Sequence, residues 1–456
     1  MTIDPSIFKA YDIRGVVGTS LTIEGVALIG RAIGSHIENG KPVCVGRDGR
    51  LSGPSIVASL IEGITSAGID VVDVGQVTSP ALYFSTHELK TGNGVMVTGS
   101  HNPPEYNGLK IVLDGHAIYG PQILSLLKLI ETEKFNTGHG NVTTIDINER
   151  YMNRIKSDIK LTRPIKVSID CGNGVAGLYA SEVFKALGCD VSELFCDIDG
   201  NFPNHHPDPS KPDNLKDIIR DVSEGESELG LAFDGDADRL GVVTKNGEII
   251  YPDRLMMMFA DDLLTRHQNA EIIYDVKCSR DLGKWITKRG GRPKMWKTGH
   301  SLIKAEMKRS NILLVGEMSG HFFFKERWFG FDDGIYAGAR LLEYLSKQPS
   351  LERAFKGLPK SVSTPELQIQ CAEGENFSLT EKLKTSDCFS TAVEKITMDG
   401  IRVEYQDGFG LARASNTTPS IVLRFEADTQ AALKRIINEF QSAIVEVAPH
   451  LSFPKG

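Results

Sequence analysis

The sequence lacks the features of a protein that binds nucleic acid or enters a membrane. It carries 51 Lys and Arg against 59 Asp and Glu, a net charge of −8, whereas nucleic-acid and anionic-membrane binders usually have a basic excess. No apolar run approaches the roughly 18 residues that cross a bilayer, and the run at residues 123–130 is interrupted by Lys128. The opening M-T-I-D-P has neither a basic nor an apolar segment, so we expect no secretion signal and a cytoplasmic protein.

Cysteine is also scarce. There are 7 cysteines, an odd number, and no C-x-x-C pair. We therefore predict scattered free thiols in a reducing compartment, and neither a disulfide framework nor a zinc site. The positions are Cys44, Cys171, Cys189, Cys196, Cys278, Cys371 and Cys388.

Short apolar runs alternate with helical patterns over most of the chain, which predicts largely parallel sheets covered by helices. The predicted strands of this part lie at residues 42–46, 69–74, 94–97, 165–169, 191–195, 272–276, 294–297 and 313–315. The last block differs, because its strands have the spacing of hairpins and precede a long amphipathic helix from Thr429. These strands are predicted at residues 367–371, 396–398, 401–405 and 421–425.

The length of 456 residues suggests about three domains, and the change of pattern near residue 360 adds a fourth. We place the domains at residues 1–145, 146–248, 249–360 and 361–456. The third segment has 20 basic against 13 acidic side chains, although the whole chain is acidic. An anionic ligand and a solvated basic face are both consistent with this excess.

Three aspartates follow an apolar strand at residues 231–233 and predict a cation site. Asp234, Asp236 and Asp238 alternate with small residues, so three carboxylates can reach one hard cation and leave one side open for a phosphate oxygen. An EF-hand is excluded, because its sixth position would hold Arg239 instead of glycine and its twelfth Lys245 instead of glutamate. The alternative is an acidic turn without a ligand, which repulsion among the carboxylates disfavours.

A second polar segment, V-T-G-S-H-N-P-P at residues 97–104, begins where a strand ends. Ligands of α/β proteins bind at such carboxyl ends. Ser100, with His101 beside it and Lys110 downstream, could act as a nucleophile or carry a phosphoryl group. It is not the G-x-S-x-G turn of the α/β-hydrolases, because no glycine stands two residues after Ser100. A plain turn is the alternative.

Two further loops carry groups suited to polar ligands. In G-E-M-S-G-H at residues 316–321, Glu317 and Ser319 suit a ligand rich in hydroxyl groups, and an ordinary tight turn is an equal alternative. R-A-S-N-T-T-P at residues 413–419 offers a guanidinium, hydroxyls and an amide in a loop before a strand. These groups match phosphate recognition, and Arg413 favours this reading over a polar interstrand loop.

The run G-N-G-V-A-G at residues 172–177 fits the glycine pattern of dinucleotide-binding folds. Such a fold also needs an acidic residue at the tip of the next strand, whereas Asp190 stands at the start of that strand. A nicotinamide or flavin cofactor is therefore not expected.

In their order, the four polar loops resemble those of the α-D-phosphohexomutases, with the bacterial phosphomannomutase/phosphoglucomutase branch the most similar. The loops read T-G-S-H-N-P, D-G-D-A-D-R, G-E-M-S-G and R-A-S-N-T-T-P, and the similarity runs from A-Y-D-I-R-G at residues 10–15 over nearly the whole chain. The resemblance implies three related α/β domains with mixed or parallel sheets, and a smaller C-terminal α+β domain that binds phosphate, around a central cleft.

The resemblance also implies roles for individual residues. Ser100 would hold the transferable phosphate, and one of its oxygens would join Asp234, Asp236 and Asp238 in binding one Mg²⁺. The implied catalytic residues are Ser100, His101, Lys110, Arg239 and Arg14. The implied substrate-binding residues are Tyr11, Lys277, His300, Glu317, Ser319, His321, Arg413, Ser415, Asn416 and Thr417.

The implied reaction is a reversible phosphoryl transfer between the 6- and 1-positions of mannose and glucose phosphates. It would proceed through a phosphoserine enzyme and a hexose 1,6-bisphosphate, which also serves as activator. We expect an isomerase that binds small hexose phosphates, without nucleic acid or membrane partners, as a monomer or weak homo-oligomer. His101 and Lys110 stay equal candidates for the general base.

Two alternatives to this reaction remain, a phosphoglucosamine mutase and a sugar-phosphate phosphatase. The first is disfavoured, because its sugar loop typically reads G-E-Q-S-G. The chain departs from the commoner family pattern in two places. Ala237 replaces a glycine, and Asn416 and Thr418 replace Gly and Glu.

Overall fold

A computed structural model describes residues 3–416 and 418–454 of the chain. The strands in these residues form four sheets, each made from one stretch of sequence, namely residues 13–144, 166–250, 271–324 and 362–427. Within the same residues, we find no helix with the length and apolar character needed to span a bilayer.

The first sheet carries the loop of Ser100. Its strands are β1 (Ile13–Val16), β2 (Val43–Arg47), β3 (Val71–Gln76), β4 (Asn93–Val97), β5 (Tyr106–Leu113), β6 (His116–Ala117) and β7 (Val142–Thr144). They are ordered β1-β5-β4-β2-β3-β7, with β6 beside β5; β4, β2, β3 and β7 run parallel, and β1 and β5 pair antiparallel. The accompanying helices are α1 (Ile23–His36), α2 (Gly53–Ser66), α3 (Ser79–Glu88) and α4 (Pro121–Glu131).

The second sheet carries the three aspartates. Its strands are β8 (Lys166–Asp170), β9 (Asp190–Leu194), β10 (Leu229–Phe233), β11 (Leu240–Thr244) and β12 (Ile249–Ile250), in the order β12-β11-β10-β8-β9. Strands β10, β8 and β9 are parallel, and β11 returns antiparallel to β10 directly after the aspartates. The helices are α5 (Asn148–Asp158), α6 (Ala180–Ala186) and α7 (Lys216–Glu224).

The third sheet has the order β14-β13-β15-β16, in which β16 alone pairs antiparallel within the described residues. Its strands are β13 (Glu271–Asp275), β14 (Arg292–Trp296), β15 (Leu314–Gly316) and β16 (Phe322–Phe324). Its helices are α8 (Pro252–Arg266), α9 (Arg280–Lys288), α10 (His300–Ser310), α11 (Gly334–Ser346) and α12 (Leu351–Lys356).

The fourth sheet is antiparallel throughout its described pairs. Its strands are β17 (Val362–Ser363), β18 (Leu367–Gln370), β19 (Glu394–Ile396), β20 (Ile401–Tyr405), β21 (Gly408–Ala414) and β22 (Ser420–Ala427). Two helices accompany it, α13 (Glu375–Lys384) and α14 (Gln430–Val447). Thr429 caps α14 by accepting a hydrogen bond from the amide of Ala432, as its place before the helix predicts.

The predicted fold class is confirmed, with three mixed α/β sheets and a smaller C-terminal α+β unit. Among the antiparallel strands that are absent from the prediction are β5, β11, β16 and β21, which have no helix directly before them and follow polar loops or a turn. Strand β12 belongs to the second sheet, so that sheet extends two residues past the expected cut at residue 248.

The first three sheets share a continuous apolar core, whereas the fourth has its own. Phe84 of α3 lies 5.8 Å from Tyr151 of α5, and Tyr151 lies 6.3 Å from Trp328 of the third unit, so this core crosses all three units. In the C-terminal unit, Phe440 of α14 packs 5.2 Å from Phe425 of β22. The separate core allows the C-terminal unit to move against the rest.

Candidate functional site

Ser100 lies in the loop between β4 and β5, in a strained backbone position. Its φ is 49°, in the left-handed region, and its amide donates to Thr98 Oγ1 at 2.7 Å. The residue is 2% exposed. The next domain approaches closely, because a Cβ on Gly235 would lie 2.5 Å from the Ser100 carbonyl oxygen. A strained residue fixed by its surroundings is typical of a functional site.

Arg50 holds the serine loop from behind, and sequence reasoning missed it. Its guanidinium donates to four backbone carbonyls, those of Ser100 (2.8 Å), Asn102 (2.5 Å), Pro103 (2.5 Å) and Tyr106 (2.9 Å). Asp48 accepts from Arg50 Nε at 3.2 Å and from Thr98 Oγ1 at 2.7 Å, so the guanidinium is itself anchored. The planar guanidinium has five N–H donors in a fixed fork, so it can bind several carbonyls of one loop at once. The single ammonium group of a lysine cannot.

The three predicted aspartates follow β10 and are fully buried. One carboxylate oxygen from each of Asp234, Asp236 and Asp238 lies within 4.8 Å of the other two. Lys110 Nζ lies 2.6 Å from Asp236 Oδ2 and 2.5 Å from Asp238 Oδ2. Ser79, at the start of α3, donates to Asp236 Oδ2 at 2.5 Å, which ties this loop to the first domain.

These carboxylates fit a divalent cation. Asp236 Oδ1 and Asp238 Oδ1 are buried and have no hydrogen-bond partner among the described residues. Burial and the two neighbouring carboxylates raise the pKa of Asp234 well above its usual value. Burial would also raise the pKa of Asp236, but the ion pair with Lys110 holds that pKa below its usual value. Carboxylate oxygens without partners are the ligands that hard cations take.

The serine loop and the aspartate loop meet at Ser100. Its Oγ donates to Asp234 Oδ2 at 3.1 Å and lies 3.3 Å from His101 Nδ1. Arg239 donates its amide to Asp234 Oδ1 at 3.1 Å and holds its guanidinium 3.7 Å from the same carboxylate. Burial, with Arg239 nearby, lowers the pKa of His101 well below its usual value. This places a neutral imidazole beside the serine hydroxyl.

His321 extends this cluster into the third domain. Arg239 Nε donates to His321 Nε2 at 3.0 Å, so the imidazole proton sits on Nδ1. That nitrogen lies 3.1 Å from Asp332 Oδ2, and Lys304 pairs with the other oxygen of Asp332 at 2.8 Å. The histidine is therefore held from both sides.

The predicted sugar loop follows β15 and lies beside the same histidine. Glu317 is buried, and its Oε1 accepts from the amide of Gly299 at 2.6 Å. His300 begins α10 directly after Gly299, and its ring stacks 5.7 Å from that of His321. Ser319 is half-buried two residues beyond Glu317. A carboxylate and a hydroxyl in this position can accept and donate hydrogen bonds to a polyol.

Lys277 follows β13 and connects the third domain to the fourth. Its Nζ lies 2.8 Å from Glu366 Oε1 and 4.0 Å from Asp275 Oδ2. Asp275 also accepts from Thr298 Oγ1 at 2.9 Å. Lys277 and Ser319 make no hydrogen bond to another predicted site residue within the described part of the chain.

The predicted phosphate loop is a hairpin, and Arg413 lies within β21 instead of in the loop as expected. Strand pairing with β22 continues to Ala414, which fixes the arginine more firmly than a loop would. Arg413 Nε donates to Asp399 Oδ2 at 3.1 Å, and the side chain is almost fully buried. Ser415 is buried and accepts from the amide of Thr418 at 3.2 Å. Thr417 lies outside the described residues.

Tyr11 joins this hairpin to the rest of the site. Asn416 Nδ2 donates to the Tyr11 hydroxyl at 2.6 Å, and that hydroxyl donates to the Thr298 carbonyl at 3.1 Å. Burial raises the pKa of Tyr11 to about 12, so the hydroxyl keeps its proton. The Tyr11 ring also lies 6.2 Å from that of His300. The first, third and fourth domains therefore meet at this phenol.

Arg14 contacts the serine loop from the N-terminal segment. It donates to Asn102 Oδ1 at 3.0 Å and to the Gly99 carbonyl at 3.3 Å, and pairs with Asp12 at 2.6 Å. Its Nε is buried without a hydrogen-bond partner in the described residues. An unsatisfied guanidinium nitrogen suits an anion such as a phosphate.

The glycine run at residues 172–177 supports the aspartate loop. The Val175 amide donates to the Gly235 carbonyl at 3.1 Å, and a Cβ on Gly174 would lie 2.8 Å from that same oxygen. The glycines allow the two backbones to approach closely. This close approach accounts for the glycine pattern without a bound nucleotide.

Sequence reasoning missed three groups that complete the site, namely Arg50, Lys304 and Asp332. A strand-end signal existed for one of them. Arg50 lies three residues after β2 in D-G-R, just as Ser100 lies three residues after β4, whereas Asp332 stands in a D-D-G run eight residues after β16. Polar residues at all strand ends of a sheet belong in a search for ligand sites. Lys304 lies inside α10 and carries no such signal.

Comparison with known proteins gives the same family for every part of the chain. Residues 5–137, 149–247 and 251–362 match the phosphoglucomutase/phosphomannomutase alpha/beta/alpha domains I, II and III. Residues 366–443 match the phosphoglucomutase/phosphomannomutase C-terminal domain.

Whole-chain relatives agree with the domain matches. A phosphoglucomutase of Neisseria gonorrhoeae is 55% identical over 458 residues, covering 99% of each chain. A phosphomannomutase/phosphoglucomutase of Pseudomonas aeruginosa is 54% identical over 456 residues, covering 99% of this chain and 98% of the relative. A crystal structure of a phosphoglucomutase/phosphomannomutase family protein from Burkholderia thailandensis is 53% identical, with a TM-score of 0.95 and 100% of both chains covered. The resemblance drawn from the four loops is confirmed, and the chain belongs to the phosphoglucomutase/phosphomannomutase family of α-D-phosphohexomutases.

Proposed function

We propose that this protein reversibly transfers a phosphoryl group between the 6- and 1-positions of mannose and glucose phosphates, with Ser100 as the phosphate carrier. Enzymes of the family catalyse this transfer in hexose phosphates. The observation that carries the proposal is the 3.1 Å hydrogen bond from Ser100 Oγ to Asp234, which joins a candidate nucleophile to a candidate metal ligand. A cytoplasmic location is supported by the seven cysteines, all of them free thiols.

In the proposed reaction, phosphorylated Ser100 donates its phosphoryl group to the free hydroxyl of a hexose phosphate. The bond from Oγ to phosphorus breaks, a new bond to the sugar oxygen forms, and a base takes the hydroxyl proton. The freed Ser100 oxygen takes up a proton, which it gives back to the base when it attacks the second phosphate, and the sugar oxygen that is then released is protonated. The resulting 1,6-bisphosphate then reverses its orientation within the cleft. The phosphate that the substrate carried at the start now faces Ser100 and is transferred to it. No phosphate is consumed over the cycle, which distinguishes a mutase from a phosphatase.

One Mg²⁺ per chain is part of the proposal. Asp234, Asp236 and Asp238 would hold it, together with an oxygen of the phosphorylated Ser100. The ion would neutralise charge on the transferring phosphoryl group. Asp236 Oδ1 and Asp238 Oδ1, which are buried and have no hydrogen-bond partner among the described residues, support this assignment.

His101 and Lys110 differ in how well they suit the role of general base. His101 Nδ1 lies 3.3 Å from Ser100 Oγ, and a depressed pKa leaves its lone pair free to accept a proton. Lys110 is held as an ammonium between Asp236 and Asp238, which raises its pKa and removes its lone pair. We therefore propose His101 as the base, and Lys110, Arg239 and Arg14 as charge-neutralising groups.

Substrate recognition is divided between two loops. Glu317 and Ser319 would bind hydroxyls near the middle of the sugar ring. These contacts can form in both orientations of the bisphosphate intermediate. Arg413, Ser415, Asn416 and Thr417 would hold the phosphate that does not react. The remaining contacts to the substrate are proposed for Tyr11, Lys277, His300 and His321. All these residues come from one chain, so the site requires no second subunit.

The carrier role is tested with Ser100→Ala. The unaltered protein should convert mannose 6-phosphate and glucose 6-phosphate to the 1-phosphates, given a trace of the 1,6-bisphosphate, without releasing inorganic phosphate. S100A should lose about three orders of magnitude in kcat. Ser55→Ala, at an exposed serine of α2, is the matched control and should keep full activity. Full activity in S100A would reject the carrier role.

The same assay separates the two alternatives. Steady release of inorganic phosphate would indicate a phosphatase. A higher kcat/KM for glucosamine 6-phosphate than for both other sugars would indicate a phosphoglucosamine mutase.

The metal site is tested with Asp236→Asn. Removing one carboxylate charge should raise the Mg²⁺ concentration for half-maximal activity by about tenfold or more. Asp213→Asn, at an exposed aspartate of the same domain, should leave the titration unchanged. An identical Mg²⁺ titration for D236N and the unaltered protein would overturn the assigned site.

A further inference from the structure

A second cavity lies between the first and third domains, and none of the predicted site residues lines it. It has a volume of about 300 Å³ and is lined by α3, the β5–β6 hairpin, α10 and the segment after β16. We call it the seam cavity. Its titratable lining groups are all basic except for the Tyr83 phenol, and they are His87 and His116 from the first domain and Lys304, Lys308 and Lys325 from the third.

Two of these lysines have no acidic partner. Lys308 Nζ lies 2.8 Å from His116 Nε2, and Lys325 donates to Asn311 Oδ1 at 2.9 Å. Among the described residues, neither lysine has a carboxylate within 4.0 Å, whereas Lys304 pairs with Asp332 at 2.8 Å. The nearby carboxylate of Asp114 accepts a hydrogen bond from Asn39.

The positive charge of this seam comes from the third domain. Burial and Lys308 lower the pKa of His116 whereas Asp114 raises it, and the net lowering leaves a neutral imidazole that can accept a hydrogen bond from Lys308. A bound anion would give Lys308 and Lys325 the counter-charge that the described carboxylates do not supply.

Part of the cavity wall is aromatic. Phe329 and Phe331 are nearly parallel, at 4° and 5.9 Å between centroids, and the His87 ring lies 5.1 Å from Phe329. Tyr83 and Phe331 are buried, whereas Phe329 is only half-buried. Aromatic faces next to cationic groups suit a ligand with a flat ring and a phosphate.

We propose that the seam cavity binds a nucleoside phosphate. The base would lie against Phe329 and His87, and the phosphates would contact Lys308 and Lys325. This assigns a ligand to part of the basic excess of residues 249–360 that the hexose phosphate site does not use. Because the walls belong to the first and third domains, the ligand would contact both domains next to the candidate active site, with which the cavity shares Lys304.

Calorimetric titration at low ionic strength tests the proposal, with ADP, pyrophosphate and adenosine as probes. Divalent cations are omitted, and saturating glucose 1,6-bisphosphate occupies the proposed active site. We expect ADP to bind more tightly than pyrophosphate, and pyrophosphate more tightly than adenosine. Lys308→Met should lower the affinities for ADP and for pyrophosphate about tenfold each. Phe329→Leu should lower the affinity for ADP and leave the affinity for pyrophosphate unchanged.

The matched control is Lys288→Met, at an exposed lysine of α9 in the same domain, which should change none of the affinities. Three results would overturn the proposal: no ADP binding at millimolar concentration, ADP binding that K308M does not weaken, or equal affinities for ADP and pyrophosphate. The last comparison uses the unaltered protein, so it holds even if F329L does not fold.

Discussion

At the scale of single residues, the geometry of this site depends on side chains that hold its loops from behind. Arg50 is fully buried and supports four carbonyls of the loop that carries Ser100. Its guanidinium donates to all four carbonyls at once and so fixes their positions relative to one another. The strained φ of Ser100 persists because of this support.

We expect Arg50→Lys to impair catalysis more than binding. An ammonium cannot reach four carbonyls at once, so the serine loop should lose its fixed geometry while the binding loops stay intact. In the mutase assay, kcat should fall about a hundredfold and KM should change less than about threefold.

Arg47→Lys is the control for R50K, since the Arg47 side chain donates only to the Asp48 carbonyl among the described hydrogen bonds. It should behave like the unaltered protein. If R50K instead raised KM and left kcat unchanged, Arg50 would have no role in positioning Ser100.

At the scale of strands and helices, the ends of strands account for what the sequence could predict. Asp234 and Glu317 directly follow an apolar strand and Ser100 lies three residues after one, so local pattern and the rule for α/β sheets together singled them out as candidates. The contact between Ser100 and Asp234 depends on how two domains pack, which no local pattern contains. Lys304 was missed for a related reason, because a lysine inside an amphipathic helix usually faces solvent.

Helix α11 begins at a buried carboxyl group whose titration should affect stability. Asp333 caps the helix by accepting from the Tyr336 amide at 2.9 Å, and the Tyr151 hydroxyl donates to it. Burial raises the pKa of Asp333 from 3.8 to about 7. The folded protein therefore holds a proton that the unfolded chain releases between about pH 4 and 7. Its contribution to stability is complete below this window and declines as the pH rises through it.

Asp333→Asn should remove this pH dependence, because an amide keeps the cap and stays neutral. Relative to the unaltered protein, the apparent Tm of the variant should rise between pH 5 and 8, by several degrees for a difference of about 1–3 kcal/mol. The measurement is a thermal scan at fixed rate. Asp387→Asn, at an exposed aspartate, should run parallel to the unaltered protein. If Tm depended on pH in the same way for D333N and the unaltered protein, Asp333 would be ionised in the folded protein over the whole range from pH 5 to 8.

At the scale of the whole molecule, the C-terminal domain has the smallest apolar attachment to the rest. Its core is separate, and its apolar contact with the third domain is a small cluster of Val276, Phe409 and Leu411. The remaining links are polar, among them the pairs Lys277–Glu366 and Tyr11–Asn416. A bisphosphate intermediate that must reverse its orientation needs a cleft that opens while the protein keeps some contacts with it.

Tyr11→Phe tests whether the phenol stabilises the closed arrangement. The variant loses the hydrogen bonds to Asn416 and to the Thr298 carbonyl, a loss of about 0.5–1.5 kcal/mol each. The closed population should fall, so small-angle scattering should give a larger radius of gyration without ligand, and KM should rise about three- to tenfold. Tyr119→Phe, at a half-buried tyrosine whose hydroxyl makes no hydrogen bond in the described residues, should match the unaltered protein in both. A higher KM with an unchanged radius would limit Tyr11 to substrate contact, whereas an unchanged KM would remove it from the site.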